Sequence, residues 1–100
     1  MPSWVSEHSE PERKRNLLEK RLRRLRAAIK AGESRARVSN EAEKVRLAAL
    51  ALIKAKRALI GEYPQRDAGG RQSRNLQDEE QRWLSLSTQA IVEEYGRNDA

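Results

Sequence analysis

The chain has 100 residues, 37% hydrophobic and 36% charged, with no Phe, no Cys, one His and a formal net charge of +6 at pH 7. So short and lean a chain forms one small domain at most. Without Cys it has no disulfide framework, thiolate metal site or cysteine nucleophile, and one His makes no histidine metal cluster. Alternating β-branched runs are missing, so the fold class read from the sequence is all-α.

Ser9-Glu10-Pro11-Glu12 has the pattern of a capping box with proline in the first turn, and it predicts a first helix over about residues 9–31. Leu18, Leu22, Leu25 and Ile29 recur at the spacing of a helix that buries one narrow face. Around that stripe, nine of the eighteen residues from Arg13 to Lys30 are Lys or Arg. Gly32 stands where a left-handed residue would end the helix.

Ser34 is the next N-cap, and a second helix is expected over about residues 35–60. Val38, Ala42, Val45, Ala49, Leu52 and Leu59 hold one heptad phase interrupted by Lys56. Gly61 is expected just past its end, with Pro64 preventing continuation. The three-residue connection Gly32-Glu33-Ser34 makes the two helices an antiparallel hairpin. In the register that follows, Leu25 faces Ala42, Leu22 faces Val45, Leu18 faces Ala49, and Trp4 and Val5 meet Tyr63. Leu50, Leu52, Ile53, Leu59 and Ile60 spread over more than one face of the second helix. Another element or another subunit must therefore cover part of it.

Residues 65–75 contain Gly69-Gly70, Asp67 and Ser73 and read as a mobile linker. Asn75 then caps a C-terminal helical segment over about residues 76–95, restarted at Ser87, which packs across the open end of the hairpin in a three-helix-like arrangement. The charge divides with the elements. Residues 1–32 carry nine basic and four acidic side chains, residues 76–100 two and six.

The functional reading is non-enzymatic binding. Arg13, Lys20, Arg21, Arg23, Arg24, Arg26 and Lys30 form a basic array able to track phosphates, so the expected ligand is a polyanion, nucleic acid without base specificity. The alternative is a structural or adaptor protein that forms a homo-oligomer or binds another protein. It would do so through Leu50, Ile53, Ile60 and Trp83 on the apolar face of the second helix and the Trp/Tyr cluster. A helix-turn-helix is rejected. Ala28, Gly32 and Val38 have its offsets, but Glu33 and Glu41 stand where aliphatic residues are required. His8 lacks a second ligand type, the pairs Glu79-Glu80 and Glu93-Glu94 point to different sides of a helix, and Gly69-Gly70-Arg71 lacks the strand and Gly-Lys of a phosphate loop. No cofactor, metal, catalytic residue or small-molecule substrate is implied. The longest apolar run, Leu47–Ile53, is far shorter than the ~20 residues that span a bilayer, and the N-terminus lacks signal-peptide regions. A cytoplasmic protein without membrane contact is expected.

Overall fold

The structure, a computed structural model, describes residues 3–97, with side chains from Glu10 onward except those of Arg66 and Ala68. The expected contacts of Trp4 and Val5 with Tyr63, and the surroundings of His8, lie outside the described side chains. All regular structure among the described residues is helical. It comprises α1 (Ser3–Lys30), α2 (Arg35–Glu62), short 3-10 turns at Pro64–Arg66 and Ala68–Gly70, α3 (Arg71–Ser85) and α4 (Thr88–Tyr95).

Gly32 ends α1 with φ 69°. That conformation lets the Glu33 N–H reach the Ala28 carbonyl and the Gly32 N–H reach the Ile29 carbonyl, each at 3.1 Å. This pair of bonds is the Schellman arrangement, which satisfies carbonyls that the helix leaves open. Two residues later the Ser34 hydroxyl accepts the Arg37 N–H at 3.2 Å and opens α2. The reversal expected from the sequence therefore rests on one glycine and one serine.

Three helix boundaries differ from the expected ones. Ser9 does not start α1, which begins at Ser3 and carries Pro11 in its interior. The ring removes the hydrogen bond to the Glu7 carbonyl, yet each further helical residue adds a bond, so one missing bond does not stop the helix. Gly61 stays inside α2, which ends only where Tyr63, at φ −128° and ψ 64°, precedes Pro64. α3 starts at Arg71 and not after Asn75, so the last five residues of the expected linker belong to a helix. The cap is Asp67. Its carboxylate accepts the Gln72 N–H at 2.8 Å, the Ser73 N–H at 3.3 Å and the Ser73 hydroxyl at 2.5 Å. The Ser73 hydroxyl is the main reason this carboxyl is held below the usual range, with the Gln72 and Ser73 amides and the Arg74 charge adding to it against desolvation. Gly69 and Gly70, at φ 70° and 71°, make the tight turn that brings Asp67 back over the helix start.

Leu25, Val45 and Ile91, one each from α1, α2 and α4, are the largest side chains with no exposure. Around them the core gathers Ala42, Ala49, Ile53, Leu76 and Trp83, with Leu18, Leu22, Ile29 and Val38 half-buried at its margin. Leucines of α1 and alanines and valines of α2 thus share one core. The Trp83 ring stacks on Tyr95 with centroids 4.8 Å apart.

The C-terminal segment does more than cross the open end of the hairpin. α3 starts there, with Gln72 and Leu76 beside Leu59 and Ile60, and then runs back along α2. Arg57 pairs with Glu80 at 3.1 Å, and Thr88 donates to Glu43 at 3.3 Å. At the closed end, Gly96 lies so near Ile29 that a Cβ there would strike its Cδ1. The outcome is an elongated three-layer bundle. Its radius of gyration is 15.6 Å, against about 13 Å for a compact domain of this length.

Candidate functional site

The basic residues of α1 divide according to which side of the Leu18–Ile29 stripe they occupy. Lys20, Arg23, Arg24 and Lys30 are exposed and Arg21 is half-buried. Lys20 and Lys30 are ten residues apart, about 15 Å along the axis at 1.5 Å per residue. Arg13 is exposed and pairs with Glu10 at 3.9 Å. Arg26 departs from the expected array, because it lies on the flank that faces α4 and its Nε donates to the Tyr95 carbonyl oxygen at 3.0 Å. That carbonyl is at the C-terminal end of α4, where a guanidinium satisfies an open acceptor and the negative end of the helix dipole. Arg26 is a structural cap rather than part of an open surface.

Elsewhere about half of the described cations are neutralised by a nearby carboxylate. Lys14 pairs with Glu10 at 3.7 Å, Arg15 with Glu12 at 3.5 Å, Arg37 with Glu33 at 3.4 Å, Lys44 with Glu41 at 3.4 Å and Arg46 with Glu43 at 3.2 Å. Arg82 pairs with Glu94 between α3 and α4. Among the described residues, Lys20, Arg21, Arg23, Arg24 and Lys30 enter no ion pair and no side-chain hydrogen bond. The acidic residues of α3 and α4 do not reach across to them. Glu80 and Glu94 are taken by Arg57 and Arg82.

The aromatic side chains described lie elsewhere: Trp83 is buried, and Tyr63 and Tyr95 are half-buried. The described part of the basic face therefore offers charge without a stacking platform. Among the described residues no group of three or more His, Cys, Asp and Glu could hold a metal ion. No helix among them is long and apolar enough to cross a membrane.

The residues expected at a partner interface are placed differently. Ile53 and Trp83 are 3% and 6% exposed and belong to the core, while Leu50 and Ile60 are half-buried against it. The apolar excess of α2 is covered by α3 and α4 of the same chain.

Two features were not foreseen. Arg46 reaches across from α2 and donates to the carbonyl oxygens of Trp83 and Leu86, where α3 ends. On the other side of α2, Leu47 is 64% exposed beside Leu17 of α1. Arg46 lay hidden because a sequence does not tell which arginine will find open carbonyls. Leu17 and Leu47 did leave a signal, since both fall outside the heptad phase of their helices. No family model matches this sequence, and neither does any curated protein or solved structure.

Proposed function

We propose that this chain is a non-enzymatic binding protein that uses the outer face of α1 to hold a polyanion. Lys20, Arg23, Arg24 and Lys30 contact the ligand, with Arg13 and Arg21 at the margins. The ligand is nucleic acid, held through its phosphates and without base specificity. The observation that supports this is the clustering of unpaired charge: one helix surface keeps five cations without counter-ions, while eight of the fifteen other Lys and Arg with described side chains are ion-paired. Like charges on one helix repel by a few tenths of a kcal/mol per i,i+4 pair, and phosphates would remove that repulsion. The absence of an aromatic on the described face fits backbone contact. The cytoplasm is the compartment this reading implies.

Reversing Lys20, Arg23, Arg24 and Lys30 to Glu tests it. Arg26 is left unchanged because it caps α4. Helix content by circular dichroism should stay nearly intact, since Glu is as good a helix former as Lys or Arg. Wild-type protein should shift duplex DNA in gel titrations at low salt, with a log–log salt slope of about −3 to −4 for four phosphate contacts. The variant should not. Failure of the wild type to bind at low salt would defeat the proposal. Self-association through α2, the competing reading, would need Ile53 and Trp83 at the surface, and an apolar oligomer would persist or tighten as salt rises.

A further inference from the structure

α1 and α2 meet along a seam whose two sides differ. One side is filled by α3 and α4. The other holds a shallow groove lined by Leu17 and Arg21 of α1 and by Lys44, Leu47, Ala48 and Ala51 of α2. At Lys44 it continues toward the turn, where Arg24, Ala28, Arg37 and Glu41 line the next stretch. No residue of α3 or α4 lines either part. In a bundle of three layers this is the position a fourth helix would occupy.

The lining states what such a helix must be. The floor is alanine, with Ala28 and Ala48 at 7% and 4% exposure, so a neighbouring helix can approach to the short end of the usual ~8–10 Å axis separation. Leu47 stands at the rim with 64% of its surface open, more than any other large hydrophobic side chain among the described residues. The walls are basic. Of their four cations, Arg37 pairs with Glu33 and Lys44 with Glu41, which leaves Arg21 and Arg24 without a carboxylate. Glu41 is already surrounded by cations: its Oε1 accepts from Lys44 at 3.4 Å and lies 4.0 Å from Arg37.

A second copy of the chain does not supply the complement. The same groove from another molecule would set Arg21 and Lys44 against their own kind. The other exposed large hydrophobic, Leu84 at 55%, has as its helical neighbour one turn back Glu80, which is engaged by Arg57. We propose that the α1–α2 groove docks an amphipathic helix of a different protein, with bulky apolar residues on one stripe and Asp or Glu on its flanks. The apolar stripe covers Leu17, Leu47 and the alanine floor, and the acidic flanks pair with Arg21, Arg24 and Lys44. This site shares Arg21 and Arg24 with the polyanion face, and its apolar part, Leu17, Leu47 and the alanine floor, is its own.

The test uses the full chain and two labelled peptides of about 20 residues, long enough to form a helix. Both carry leucines at i, i+3 and i+7, with flanking Glu in one and Lys in the other. In fluorescence anisotropy the Glu peptide should bind about tenfold or more tightly than the Lys peptide. Leu47→Asn should weaken it by about tenfold or more, the range for losing one covered leucine, while Leu84→Asn should change nothing. Leu47→Asn should leave DNA binding intact, so the two proposals fail separately. Equal binding of the two peptides, no binding of either, or indifference to Leu47→Asn would overturn the docking site. So would sedimentation showing a dimer that Leu47→Asn dissociates, since a second copy would then be the occupant.

Discussion

Leu25 and Arg23, two positions apart on one helix, measure how sharply the stripe divides α1. Leu25 has no exposed surface and belongs to the core cluster with Ala42 and Val45, whereas Arg23 is exposed and makes no ion pair. Leu25→Ala should cost roughly 2–5 kcal/mol, as truncations of buried leucine do. Half-buried Leu22 should lose less than Leu25, and Arg23→Ala under about 0.5 kcal/mol. Chemical denaturation of the three variants checks the order. Equal costs would mean that the stripe has been assigned to the wrong face. Arg46 is the second residue with a large expected effect. Its side chain is 14% exposed and pairs with Glu43, and it donates to two carbonyls at the end of α3. Arg46→Ala should destabilise by about 1–3 kcal/mol, the range for hydrogen bonds to a charged group. Arg46→Lys should recover only part, because an ammonium lacks the planar fork that spans two acceptors. A full rescue by lysine would show that the charge alone matters.

Two glycines test the elements from opposite directions. Gly61 lies in the last turn of α2 with nothing within 4 Å of the position a Cβ would take. Gly61→Ala should stabilise by about 0.5–1 kcal/mol through the lower entropy of the unfolded chain and better helix propensity. Gly96 ends α4 at φ −77°, where any residue fits the backbone. A Cβ there would lie 2.5 Å from the Val92 carbonyl oxygen and strike the Ile29 Cδ1. Gly96→Ala should therefore destabilise by about 1–3 kcal/mol, the ordinary cost of overpacking. Thermal melts of both variants read the two signs, and a stabilising Gly96→Ala would remove the close approach of α4 to α1. These glycines also show what local sequence conveys. Gly32 was legible as a helix end because a left-handed cap is a local event, and Ser34 for the same reason. Gly61 has the same composition cue yet continues its helix, since the real stop is Pro64. Asp67 capping a helix that starts four residues later was not legible, because the two left-handed glycines between them bring it into reach.

At the scale of the whole molecule, α3 and α4 are not an appendage on the hairpin. They supply Leu76, Trp83 and Ile91 to the same core that holds Ile53 and against which Leu50 and Ile60 pack. A chain ending after Glu62 should lose cooperative unfolding or associate, as followed by thermal denaturation and sedimentation. If it remained a stable, cooperatively unfolding monomer, the hairpin would be self-sufficient. The same packing fixes what removal of the acidic segment would do. Glu80 and Glu94 are engaged within the bundle, so deleting residues 76–100 would unfold the core rather than uncover the basic face. The sequence by itself determined the helical class, the hairpin turn, the leucine stripe and most of the basic face, because capping, periodicity and side-chain charge act within a few residues of one another. Only the tertiary structure decided which surfaces stay open. It turned Arg26 inward to cap α4, gave Arg46 the end of α3, buried the apolar excess of α2 under the chain's own C-terminal helices, and left Leu17 and Leu47 uncovered. Those outcomes depend on where helices distant in sequence come to lie, and that is set by how their side chains share one core.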